Sequence, residues 1–222
     1  MSFGGLQLIP TYKAALDKGF LAYYLKTYVN RRMCYIHWSA GWRHTNFTDY
    51  HEVIEQMDDG VIKVAHNCAI AQDLNKHTWC RNSNSFALCV AGMKDATTNN
   101  LGPQVATPAQ IDMLVLECVR ACMALHAPVG NIMSHAEAGD NVDQGPRPPY
   151  STPGATGDDA LPYGPLTRSG PHACERWDFW VNINPKTKEL KAKSRARPEG
   201  WLDFMDWLRG ETIMRIQKSW VH

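Results

Sequence analysis

The sequence predicts an α/β fold on three observations. Short apolar runs rich in β-branched and aromatic residues alternate with a long amphipathic stretch, clusters of turn-forming residues separate them, and no unit repeats along the chain. The 222 residues are 44% hydrophobic and 20% charged, with 23 basic against 22 acidic side chains. At about 150 residues per domain this is one to two domains with enough chain for a substantial core. The composition excludes a disordered polymer and a disulfide-stapled mini-protein. A formal charge of +1 argues against a dedicated nucleic-acid binder.

Residues 11–29, TYKAALDKGFLAYYLKTYV, space their apolar groups helically, so 1–32 is expected to be a helical N-terminal extension, although Gly19 and the β-branched end weaken the pattern. MCYIHWSAG at 33–41 begins as a β-prone apolar run and ends in small residues, as a core strand emerging into a loop would. YHEVIEQMDDGVIKVAH at 50–66 reads as two short strands around a turn at Asp58, Asp59 and Gly60. SFALCVA at 85–91 is apolar enough to be a strand buried on both faces.

The best helix pattern is TPAQIDMLVLECVRACMALHAP, where Thr107 can cap, Pro108 suits the first turn and Gln110 sits at the reciprocal capping position. Leu114, Cys118, Ala121, Cys122 and Leu125 give it one apolar face, and Pro128 should follow its end. NIMSHAEAGDN then reads as a short strand and its exit loop, and 139–176, rich in Gly and Pro, as a long functional or mobile loop. The basic stretch KTKELKAKSRAR lacks interleaved aromatics and is expected to be a solvated linker or loop. WLDFMDWLRGETIMRIQKSW at 201–220 is expected to be helical, with Gly210 a bend or break and Trp201, Trp207 and Trp220 serving as packing residues.

The seven cysteines are odd in number and form no CxxC pair, which favours a reducing compartment. The start, MSFGGLQLIPTYKAALDKGF, lacks a secretory pattern, and no segment has 18 continuous apolar residues, so synthesis in the cytoplasm without membrane insertion is expected.

His37 and His135 each end an expected buried strand and each precedes small residues, in HWSAG and HAEAG, which would expose an imidazole at the sheet edge. Asp178, in RWDFW, adds an anionic oxygen after the long loop. Two neutral histidines and a carboxylate leave zinc an open position, as hydrolysis requires, while satisfied structural histidines are the plainer alternative.

In these residues the sequence resembles the zinc-dependent N-acetylmuramoyl-L-alanine amidases, the family of the peptidoglycan recognition proteins and the small phage lysozyme-amidases. YIHWSAG, TDYHEVIEQMDDGVI, HTWCRNSNSFALCVAG, TPAQ with its helix, SHAE and RWD follow in the family's order over roughly residues 33–180. The resemblance implies a central mixed β-sheet flanked by helices, with 33–180 as the catalytic domain and 181–222 as a C-terminal helical extension packed on it. It further implies that His37, His135 and Asp178 bind one zinc ion. Cys174 and Asp140 are the rival ligands, the first lying four residues too early.

By the same resemblance, Tyr50 of the YH strand motif holds the attacked carbonyl or the activated water. Arg176 stands where active relatives often carry lysine; always protonated, it suits oxyanion stabilisation better than proton donation. His77 and Asn82 match a region lining the substrate groove. Cys89 occupies the strand position of a glutamate base found in some members, so that base is absent and Cys89 reads as a small buried group. Proton delivery is left to Tyr50, the activated water, Glu52 or Glu137. The implied reaction is hydrolysis of the amide between N-acetylmuramic acid and L-alanine in peptidoglycan or muropeptides; a non-catalytic peptidoglycan-binding module of the same fold is the alternative. A lysis enzyme released by a holin, a toxin delivered by a secretion system and a recycling enzyme all suit a chain of this kind, and no nucleic-acid partner is expected.

Overall fold

Strands with apolar residues at every position can satisfy both faces only in the middle of a sheet, and the two most apolar runs of the chain take that place. In the computed structural model, which describes residues 33–67, 77–78, 85–97, 99–125, 127–140, 178–193 and 196–219, β1 (Met33–Trp38) and β4 (Ser85–Val90) are buried at every residue and pair in parallel, with His37 opposite Cys89. The expected helix at 11–29, most of the 139–176 loop, Arg176, Asn82, Cys174 and Trp220 lie outside the described residues.

The sheet runs β3-β2-β4-β1-β5. β2 (Glu52–Gln56) joins β4 in parallel and β3 (Ile62–His66) in antiparallel, and β5 (Ile132–Ser134) lies parallel to β1 on the far side. The fold is therefore α/β with a mixed central sheet. The β2–β3 hairpin closes as its residues dictate: Gly60 adopts φ 84°, its N–H donates to the Met57 carbonyl at 2.8 Å, and the Asp59 carboxylate accepts from the Val61 N–H at 3.0 Å.

Helix α1 (Pro108–Leu125) starts with the reciprocal cap foreseen in TPAQ. The Thr107 hydroxyl accepts from the Gln110 N–H at 3.3 Å, and the Gln110 side chain accepts from the Thr107 N–H at 3.1 Å. The buried Gln110 amide also donates to the carbonyls of Ile54 and Ala91, at 3.1 and 2.8 Å, which ties the helix start to the middle of β2 and to the residue after β4.

Period-two alternation divides the strands cleanly. Cys34, Ile36, Trp38, Ile54, Phe86, Leu88 and Val90 join α1 in the main core, whereas Tyr35, His37, Val53, Ser85 and Cys89, at the intervening positions, belong to the opposite face.

The C-terminal segment departs from expectation. KTKELKAKSRAR is not simply a solvated linker: Leu190–Ala192 form β7, which pairs with β6 (Val181–Ile183), and β8 (Leu202–Asp203) completes a second, antiparallel sheet of order β7-β6-β8. Its lysines stay at the surface or bond to carboxylates, as Lys193 does to Asp203. Helix α3 (Phe204–Lys218) runs through Gly210 without a break. Glycine costs about 1 kcal/mol there, offset by the Asp203 cap on the Met205 and Asp206 N–H groups and by burial of Phe204, Met205, Trp207 and Leu208. Trp207 packs as expected, while Trp201 precedes the helix.

Val181, Ile183, Ala192, Phe204 and Leu208 share one apolar core with β1, β4 and α1. The segment from 181 on packs against the main core, and within it β6, β7 and β8 stand beside helix α3. No helix of the described residues is long and apolar enough to cross a membrane.

Candidate metal centre

The register of β1 sets the first side chain of the site. With Ile36 and Trp38 committed to the helical face, His37 must project from the other face, near the C-terminal end of its strand.

His135 arrives one residue beyond β5, and the chain does not continue as a loop. It forms a short helix, α2 (His135–Asp140), started by the S-x-x-E pattern of SHAE. The Glu137 N–H donates to the Ser134 hydroxyl at 3.0 Å, and the Glu137 carboxylate accepts from the Ser134 N–H at 3.1 Å. That cap places His135 at the first helical position. It is clamped from α3 by Arg209, which donates to Glu137 in bidentate fashion at 2.8 and 3.0 Å and to the Ile132 carbonyl at 3.1 Å. Burial alone would lower the Arg209 pKa, but the bonds and charge of Glu137, then of Asp206, raise it, so the clamp stays charged.

Asp178 is turned into the site by its neighbour. Phe179 adopts φ 57°, a left-handed conformation costing a non-glycine residue about 1–2 kcal/mol. Its ring is 2% exposed, stacked on Phe204 at 4.7 Å and tilted against Trp38 at 5.6 Å. Core packing holds Phe179 on one side of the chain while Asp178 faces the histidines.

The three side chains converge. Asp178 Oδ2 lies 3.2 Å from His37 Nδ1 and 3.5 Å from His135 Nδ1, the imidazole centroids are 4.7 Å apart, and one ligand atom from each residue falls within 4.8 Å of the others. Among the described residues this is the group of His, Cys, Asp and Glu side chains placed to hold a metal ion. Burial lowers the pKa of His37 to about 3, with His135 and His77 adding to the effect and the Asp178 hydrogen bond opposing it. The imidazole is therefore neutral, the form a metal requires. Two imidazole nitrogens and a carboxylate oxygen at these separations could together hold a metal ion. The chain matches no known protein family, curated protein or solved structure in the comparisons made.

Burial corrects one expectation. His37 is fully buried and His135 only 5% exposed, not open at the sheet edge, because Tyr50, Thr78, His77 and Asp178 close around them from distant parts of the sequence. Tyr50 is half-buried with its ring 5.1 Å from that of His37, so it borders the group. His77 is buried and its two ring nitrogens contact the hydroxyls of Thr78 (2.9 Å) and Ser85 (3.1 Å), which places it behind His37. Cys89, on the neighbouring strand, is fully buried as expected, and burial and Asp178 push its thiol pKa well up.

The two carboxylates left open for proton delivery are committed elsewhere. Glu52 is buried against His66 at 2.7 Å, and Glu137 caps α2 and binds Arg209. Arg209 and Thr78 were not singled out from the sequence, and Glu137 was named there only for proton delivery, not as a cap. SHAE carries the capping pattern openly, whereas Arg209 and Thr78 act only through tertiary contacts.

Proposed function

We propose that the chain is a zinc-dependent N-acetylmuramoyl-L-alanine amidase, and that His37, His135 and Asp178 hold the zinc. The observation that carries this reading is the convergence of three residues, each from a separate motif of the amidase resemblance, onto one point. The α/β fold with a mixed sheet is compatible with the peptidoglycan recognition protein-like architecture that the resemblance implies.

When bound, zinc supplies Lewis acidity and lowers the pKa of water from 15.7 towards about 7. The chain's own residues do the rest. Asp178 and the two imidazoles fix the reacting point at the edge of the sheet. Tyr50, beside His37, donates its phenol to the carbonyl oxygen of the lactyl amide, and Arg176, two residues before Asp178 in sequence, adds a permanent positive charge as that oxygen becomes anionic. Loss of one such donor typically costs about 3–4 kcal/mol of transition-state stabilisation. Water adds across the amide: the lactyl group leaves as a carboxylic acid, and the stem peptide leaves with a free amine on L-alanine.

Incubating the purified chain with zinc and muropeptides and weighing the products tests the reading. Release of intact stem peptide beginning with L-alanine, stopped by a chelator, is the expected result. Binding of the muropeptide without cleavage would replace the enzyme reading with that of a binding module.

A further inference from the structure

Behind the metal-facing side of His37 runs a line of alternating imidazoles and hydroxyls. His37 Nε2 lies 3.3 Å from Thr78 Oγ1, that oxygen is 2.9 Å from His77 Nδ1, and His77 Nε2 is 3.1 Å from Ser85 Oγ. His37, His77, Thr78 and Ser85 are all at least nine-tenths buried. A neutral imidazole has one donor and one acceptor nitrogen, whereas a hydroxyl can turn to serve either way. The donor direction at His37 therefore sets the direction of every bond that follows.

Two states satisfy these three contacts together with the His37–Asp178 bond. With Nδ1–H of His37 donating to Asp178, Nε2 accepts from the Thr78 hydroxyl, Thr78 Oγ1 accepts from His77 Nδ1–H, and His77 Nε2 accepts from the Ser85 hydroxyl. With Nδ1 given over to a metal ion, Nε2–H donates to Thr78, Thr78 donates to His77 Nδ1, and His77 Nε2–H donates to Ser85. Each ring carries one N–H in both states and each hydroxyl keeps its own proton, so the conversion releases no net proton.

We propose that Thr78, His77 and Ser85 form a positioning relay whose hydrogen bonds reverse together when His37 ligates a metal, so that His77, which does not touch the ion, changes tautomer with it. The proposal rests on the reading of His37 as a ligand. It makes His77 a positioning residue rather than a peptide contact. Outer partners of this kind typically alter metal affinity by about 10–100-fold when removed.

Long-range proton–nitrogen NMR of the full chain labelled with ¹⁵N-histidine, before and after one equivalent of zinc, reads the tautomers directly. The expected result is an N–H on His77 Nδ1 without zinc and on Nε2 with it. Thr78→Val should uncouple His77 from zinc and weaken zinc binding by about 10–100-fold in competition with a chelator, whereas Thr78→Ser, which keeps the hydroxyl, should preserve both. Zinc binding with an unchanged His77 tautomer, or full affinity in Thr78→Val, would overturn the relay and leave the metal site standing. A wild-type chain that binds no zinc would overturn the metal reading and the relay with it.

Discussion

The two faces of the central sheet are made from the same strands one residue out of step. On the helical side, Cys34, Ile36, Trp38, Phe86, Leu88 and Val90 meet α1 in a continuous apolar core. On the other side, Tyr35, His37, Ser85 and Cys89 are just as deeply buried, yet His37 and Ser85 spend their burial on hydrogen bonds to Asp178, Thr78 and His77. The first face is held by area removed from water, the second by partners that must each be in place. A face of the second kind adds less to stability than its burial suggests and makes the chain dependent on distant segments, which is the usual condition of a site.

Substitutions should separate the two faces. The largest effect is expected for His135→Ala, which should abolish metal binding and turnover while shifting the urea midpoint of the metal-free chain less than a core truncation does; retained turnover would break the ligand assignment. Leu88→Ala, on the helical face, should cost about 2–5 kcal/mol in chemical denaturation. If its loss is no greater than that of His135→Ala, the division of labour between the faces is wrong.

Arg209→Ala should be intermediate and should touch both properties. It leaves Glu137 without its bidentate partner, so about 1–3 kcal/mol of stability should go together with weaker metal binding, as His135 loses its fixed helix start. Loss of stability with unchanged affinity would confine Arg209 to the fold.

Acid should act chiefly through the site face. The folded His37 pKa, about 3, lies below the unfolded value of 6.5, so the unfolded chain takes up the proton first as pH falls. Stability of the metal-free chain is therefore present above pH 6.5 and is lost progressively towards pH 3, by at most about 1.4 kcal/mol per pH unit from this group. Replacing His37 with Gln should flatten that dependence in denaturation measured across the range. The smallest effect is expected of thiol reagents: burial raises the Cys89, Cys118 and Cys122 pKa values, so all three should resist alkylation at pH 8 until the chain unfolds.

What could be read in advance follows the range of the interactions. The Thr107–Gln110 cap, the Asp59–Gly60 turn and the apolar faces of β1 and β4 are local patterns, and the structure keeps them. β6, β7 and β8 hold only two or three residues each, and β7 is built from a lysine-rich run that resembles a linker; such strands exist because the core accepts Val181, Ile183 and Ala192. The same limit applies at the site. His37, His135 and Asp178 could be proposed from three motifs, but the burial of the two histidines could not, because it depends on Tyr50, Thr78 and His77 meeting them from distant parts of the sequence. The Ser134–Glu137 cap was legible in SHAE as it stands, and it explains why His135 begins a helix rather than a loop.

His37, His135 and Asp178 are placed so that they could hold one metal ion between them. Titrating the metal-stripped chain with zinc by calorimetry tests it most directly. One equivalent bound tightly by the wild-type chain, and lost in His37→Ala, His135→Ala and Asp178→Ala alike, is the predicted result. No binding by the wild-type chain, or undiminished binding in any of the three variants, would contradict it.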